Sequence, residues 1–205
     1  MRWRCSFLRI SLLLCLGTSA QAAGPVTRTV MPGPDQFELQ AVLPVERAAL
    51  LPLLEQPCHV RQWMPAVETL TILERLSATR TLVYMARQAP WPLQGRDAVT
   101  LFERHPGNPV VLTMQGRPKA WPEQPGHVRV PFTEGSWSLQ ALPGTNRTRV
   151  VYRQRVNPGG GIPQWLADRL APAQMEAALA ALENYVRDPQ RTDCTAAQPA
   201  AHGAG

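Results

Sequence analysis

Apolar and polar positions along this chain follow two periods, and the switches between them mark out its elements. Residues 37–42, Phe-Glu-Leu-Gln-Ala-Val, alternate as a half-buried strand does. After Pro44 the period lengthens. Residues 45–54 set Leu50, Leu51 and Leu54 against Glu46 and Arg47, which predicts a short amphipathic helix ending near Pro57. Strands are then predicted at 67–76, 80–87, 96–105, 109–115, 127–130, 133–142 and 147–156, with turn signals at Gly95, Pro106-Gly107-Asn108, Pro125-Gly126, Gly135 and Pro143-Gly144-Thr145-Asn146. Pro158-Gly159-Gly160-Gly161 ends the last strand. From Ile162 onward Leu166, Leu170, Met175, Leu179, Leu182 and Val186 fall at helical spacing, a long C-terminal helix that Pro172 is expected to kink or split because it lacks the N–H the helix uses there.

A strand, a short helix, a run of antiparallel strands and one long helix make an α+β pattern in which the sheet curls over the helix. Such a sheet leaves an apolar space beneath it, and a space that side chains do not fill is a ligand cavity.

The chain ends change the picture. Arg2, Arg4 and Arg9, the apolar stretch 10–16 and Ala20-Gln21-Ala22 match the three sections of a secretory signal peptide, placing the mature start near Ala23 in an exported, periplasmic protein. Attachment of lipid at Cys15 is the less favoured reading, since Leu14 precedes it where a small residue is wanted. The expected organisation is a signal peptide at 1–22, a turn-rich lead-in at 23–36, one domain at 37–188 and a disordered Ala/Gln/Gly-rich tail at 189–205. The formal charge of +6 falls to +3 once the three leader arginines are gone, and the remaining arginines, with Lys119 the only lysine, are scattered. That argues against nucleic acid as a partner. Export leaves Cys58 and Cys194, which an oxidising compartment permits to pair; the alternative is a buried Cys58 with a free thiol in the tail.

Catalytic signatures are missing. His59, His105 and His127 stand at spacings that make no metal site, and no nucleophile elbow, phosphate loop or dinucleotide fingerprint is present, so no catalytic residue, metal or cofactor is assigned. The connector Ala89-Pro90-Trp91-Pro92-Leu93-Gln94-Gly95 is stiffened by its prolines and delivers Arg96-Asp97 into a strand. Neighbours on a strand point to opposite faces, so each of the pair is expected to find its own partner, Asp97 on turn N–H groups and Arg96 anchoring the connector. Trp63, Trp91, Trp137 and Trp165 are candidates for ligand walls, but most of them are expected to be core, as large aromatics mostly are.

Several stretches together resemble the START (steroidogenic acute regulatory protein-related lipid-transfer) domain in its small bacterial form, of the helix-grip fold. They are Trp63-Met64-Pro65 before a strand, Pro90-Trp91-Pro92 with Gly95-Arg96-Asp97, Gly135-Ser136-Trp137, Thr148-Arg149-Val150, and Asn157-Pro158-Gly159-Gly160 with Ile162-Pro163-Gln164-Trp165-Leu166. The resemblance covers about residues 37–187. It implies a curved antiparallel sheet around the C-terminal helix, and a tunnel that binds a lipid or another hydrophobic small molecule. Sterol-transferring members place a buried arginine six residues beyond the motif arginine, facing a carboxylate on the preceding strand; here that position is Phe102, and residues 81–85 carry no acid. The resemblance therefore implies an apolar ligand, with Ala98, Thr100 and Phe102 on the tunnel face.

Candidate ligand-binding residues are Tyr84, Met85, Ala98, Thr100, Phe102, Met114, Tyr152, Leu166, Leu170 and Met175: the tyrosines as polar handles, the methionines as adaptable contacts. The expected function is carriage of a lipid by a monomer in transient contact with membranes, with Gly159-Gly160-Gly161 and Pro172 as hinges for exchange. Two alternatives stay open: a cavity enzyme of the aromatase/cyclase or hydrolase type, and an interaction protein whose cavity is filled by its own side chains.

Overall fold

In the computed structural model, residues 27–30, 36–89, 91–191 and 194 are described. The leader assigned to 1–22 lies outside them, as does the tail apart from residues 189–191 and Cys194. Strand β1 (Thr27–Val30) is followed by β2 (Gln36–Leu43), helices α1 (Arg47–Glu55) and α2 (Pro57–Trp63), and strands β3 (Val67–Arg75), β4 (Arg80–Arg87) and β5 (Gly95–His105). Next come β6 (Val110–Gly116), β7 (His127–Arg129), β8 (Phe132–Ala141) and β9 (Thr148–Asn157), and helix α3 (Gln164–Arg187) closes the order. The sheet runs β1-β2-β9-β8-β6-β5-β4-β3, antiparallel at every step, with β7 added in parallel to the start of β5. The fold is the expected α+β helix-grip arrangement, a curved antiparallel sheet with one long helix against it.

Four local outcomes differ from the sequence expectations. Residues 27–30 form β1 inside the stretch expected to be lead-in, since Thr-Arg-Thr-Val has β-branched residues that suit pairing with β2. The first helix ends near Pro57 as expected, but Pro57 also opens a second helix, α2, that was not expected; at the first helical position its missing N–H is one the helix does not use. Strand β7 is parallel, not part of an antiparallel run. Finally, α3 remains one 24-residue helix through Pro172, which is almost fully buried, so packing holds the proline within a helix that it does not split.

The core lies between the concave face of the sheet and α3. Leu39 and Leu43 of β2, Leu139 of β8, Val150 of β9, and Leu179 and Leu182 of α3 are all but inaccessible to solvent. Each such side chain contributes roughly 1.5–3 kcal/mol relative to exposure. Beside them an aromatic row crosses the sheet: the Trp63 and Trp137 rings meet edge to face at 6.4 Å, and Trp137 and Tyr152 lie 4.6 Å apart. The Trp63 indole N–H donates to the Leu53 carbonyl at 2.9 Å, fixing α2 to α1. Gly135 belongs to this row for a steric reason. A Cβ there would run into the Arg153 carbonyl and the Met114 methyl, so only glycine lets β6, β8 and β9 approach so closely.

Candidate functional site: a cavity under the C-terminal helix

The strand alternation that builds the sheet also decides which side chains face α3. On β4 these are Thr81, Val83, Met85 and Arg87, and on β5 Arg96, Ala98, Thr100 and Phe102. With α2 and the first half of α3 they enclose a cavity of about 480 Å³, well inside the size range of small-molecule sites. The aromatic row of Trp63, Trp137 and Tyr152 lines one wall.

Of the ten candidate residues, the structure places Met85, Ala98, Thr100, Phe102, Met114, Tyr152, Leu170 and Met175 on this cavity. Tyr84 and Leu166 are not among its lining residues. Tyr84 is an even-numbered neighbour of Met85 on the same strand and so must point the other way; it is buried with Ala86 and Val99 on the convex face. There its hydroxyl bonds to Asp97, and burial, with the Asp97 charge and that bond adding to it, pushes the phenol up to about 12. On α3 the cavity is met by Ala167, Leu170, Ala171, Gln174 and Met175, and Leu166 sits off that stripe. Of the tryptophans expected in the core, Trp63 and Trp137 are buried, whereas Trp91 is 93% and Trp165 67% exposed.

The Arg96-Asp97 pair separates as alternation requires. Asp97, expected on turn N–H groups, instead accepts two hydrogen bonds at 2.9 Å from the Nε and Nη2 of Arg129, and the two side chains are only 1% and 6% exposed. Arg129 also donates to the carbonyls of Pro118, Trp121 and Pro122, and the bonds to Asp97, with the Asp97 charge, raise its pKa above the usual arginine value. All this makes the pair a structural knot joining β5, β7 and the preceding loop. Arg96 does anchor the connector, donating to the carbonyls of Gln94 and Gly159.

Charged side chains occupy both ends of the cavity. At one end Arg104 grips the Glu55 carboxylate at 3.0 and 3.2 Å and donates to the Ala78 carbonyl at 3.2 Å. Burial raises the Glu55 pKa, while Arg104 and Arg75 pull against that rise. At the other end stand Arg87 and Arg96, directly opposite each other in the β4–β5 ladder. Sequence reading missed both as cavity residues. Arg87 was legible as such from its period-two spacing from Met85. At the position where the resemblance would put a buried arginine, Phe102 pairs in register with Thr81, and both line the cavity.

The histidines stand apart from the cavity lining. His59 Nδ1 is 2.7 Å from the Tyr185 hydroxyl, and His105 Nε2 is 3.1 Å from Thr113 Oγ1. His59 also clusters with Cys58 and Cys194, whose ligating atoms lie within 4.8 Å of one another. Cys58 and Cys194 are joined as a disulfide with Cα atoms 6.1 Å apart, so neither sulfur is a thiolate that could hold a metal. This bridge ties the chain beyond α3 back to α2.

His127 Nε2 meets Glu68 Oε2 at 2.6 Å, linking β7 to β3. The bond to Glu68 is the main cause that raises the His127 pKa above 6.5, and the same bond lowers Glu68 below 4.5. A raised histidine stabilises the fold fully below pH 6.5 and loses that contribution as pH climbs through its raised value; a lowered carboxylate loses its contribution as pH falls through its own. The melting-temperature difference between wild type and His127→Gln is therefore expected to be widest from about pH 4.5 to 6.5 and to close at higher pH, as thermal melts across pH would record. A difference independent of pH would refute the assignment.

An open cavity between a curled sheet and a C-terminal helix defines the class of helix-grip ligand-cavity folds. The chain belongs to the START domain family, whose family model matches residues 26–182. Over 109 residues it is 34% identical to an uncharacterized Pseudomonas aeruginosa protein, the match covering 52% of this chain and about half, 53%, of that relative. A crystal structure titled STAR-related lipid transfer protein, from Xanthomonas axonopodis, is similar at 27% identity and a TM-score of 0.71, covering 82% of this chain and 97% of that one. Human StAR-related lipid transfer protein 5 shares the fold at 17% identity, with a TM-score of 0.69 over 82% of this chain and 87% of its own.

Proposed function

We propose that this protein binds one lipid or other hydrophobic small molecule in the cavity under α3 and carries it through an aqueous compartment, the periplasm if the leader directs export. The observation that carries the reading is the apolar cavity of about 480 Å³ between the sheet and α3. Enclosing an acyl chain contributes about 0.8 kcal/mol per methylene, so six to eight enclosed methylenes outweigh the lower estimates of the cost of association. Binding is favoured over catalysis by the state of the carboxylates at the cavity, since Glu55 and Asp97 are each held by an arginine and no histidine lines it among the described residues.

Trp91 and Trp165 support transient contact with a membrane. Each lies within three residues of a cavity-lining residue, Leu93 and Ile162, and each presents an indole to solvent. The disulfide fixes the far end of α3, while Gly159, Gly160 and Gly161 all take left-handed φ values of 66–69° just before its near end. Opening at the near end is then the smaller movement.

Native mass spectrometry of the protein from a periplasmic preparation, followed by organic extraction, tests the reading. A stoichiometric lipid that a disulfide stapling the first half of α3 to the sheet prevents from exchanging is the expected result. An empty protein that takes up no fluorescent fatty acid, phospholipid or sterol would overturn it.

A further inference from the structure

Among the described residues four arginines line the cavity, and two of them have a carboxylate near: Arg104 is paired with Glu55, and Arg75 interacts electrostatically with the same group. Beside the cavity, Arg129 has Asp97 and Arg153 on β9 has Glu38. Arg87 and Arg96 differ. Their hydrogen bonds go to main-chain carbonyls, Arg87 to Pro65 at 3.1 Å and Arg96 to Gln94 and Gly159. The Nε of each is buried without a partner, the two such side-chain atoms among the described residues. The nearby acids are engaged elsewhere, Asp97 by Arg129 and Glu68 by His127.

Two like charges directly opposite on a ladder destabilise a sheet, and burying even part of a guanidinium, here the Nε, without a counter-charge is costly. Burial lowers the pKa of both arginines, the direction expected for cations that lack an acid. Their main-chain bonds anchor neighbouring loops but leave both charges uncompensated. Both line the cavity, next to the buried Tyr152 phenol that interacts electrostatically with Arg87. Around Arg96 the backbone is drawn in so tightly that a Cβ on Gly160 would stand 3.0 Å from its Nη2. Between this end and the Glu55–Arg104 pair, Met85, Ala98, Phe102, Leu112 and Met175 give the cavity an apolar stretch of wall. A planar guanidinium presents paired donors matched to a carboxylate or phosphate, and the missing charge at this end is an anion.

We propose that Arg87 and Arg96 form an anion-binding end of the cavity, and that its ligand is an amphiphile with a compact acidic head, carboxylate or phosphate, on an apolar tail. This rests on the ligand-carrying reading above and narrows it to a class of ligand.

The test uses the full disulfide-bonded protein loaded with the uncharged fluorescent probe N-phenyl-1-naphthylamine, displaced in turn by hexadecanoate, hexadecyl phosphate and hexadecanol. At least one acidic ligand is expected to displace the probe about tenfold more tightly than the alcohol, and which acid is tighter tells a fatty acid from a phosphate-headed lipid. In Arg87→Gln and Arg96→Gln the ratio of acid to alcohol affinity falls to within about twofold, whatever change the two ligands share, and Arg87→Lys, which keeps the charge, retains most of the preference. Equal displacement by acid and alcohol in the wild type, or a preference that survives in both glutamine variants, overturns the anion site. Failure of the probe and all three ligands to bind strikes instead at the carrier reading, and so at both.

Discussion

Arg129→Met is expected to destabilise the protein by about 3–5 kcal/mol, because it leaves the Asp97 carboxylate buried and charged with its main counter-ion gone. Asp97 is 1% exposed and receives both of its strong bonds from Arg129, so the Tyr84 hydroxyl is the interaction left to it. Asp97→Asn should cost less, since Arg129 keeps its three carbonyl acceptors and an amide oxygen still accepts one bond. Because the two residues act as a unit, the double variant should be well short of the sum of the singles. Urea unfolding of the three variants measures this directly. Additive losses, or an Arg129→Met penalty under 1 kcal/mol, would show that the pair is only a surface bridge.

Ala98→Trp should weaken uptake of an apolar ligand on the order of a hundredfold without unfolding the protein. Ala98 is half-buried, pairs in register with Met85, and faces the cavity between Arg96 and Thr100. An indole in that space displaces ligand instead of core side chains. Loss of about four enclosed methylenes costs about 3 kcal/mol, on the order of a hundredfold in affinity. Thermal stability should hold or rise, as is common when a void is filled. Displacement titration and a thermal melt on the same preparation give both readouts, and undiminished uptake would place the ligand outside this cavity.

How far these sites were legible follows from the range of the interactions that make them. Strand limits were readable because alternation is local: residues 67–76 and 80–87 were expected where β3 and β4 run at Val67–Arg75 and Arg80–Arg87. The same alternation forbade Tyr84 and Met85 from sharing a face, and the structure applies that rule. Proline was the poorer guide. Pro57 marks the end of α1 as expected but also starts α2, and Pro172, which suggests a break, lies within α3, because position along the helix and burial decide a proline's effect. Pairings across long separations left no local trace: Asp97 with Arg129 and Glu55 with Arg104 each depend on register or on curvature of the sheet. The exposure of Trp91 and Trp165 is of the same kind, since composition says that an indole is usually buried but not which one is left outside.

The Arg129 contacts also bear on how the chain tolerates change. The loop before β7 is held through the main-chain carbonyls of Pro118, Trp121 and Pro122, groups that every amino acid supplies. One arginine thus fixes the path of that segment without dictating the side chains along it. Residues such as Lys119 and Glu123, both exposed, can diversify while the backbone they ride on stays in place, a separation of shape from sequence that suits a surface open to variation.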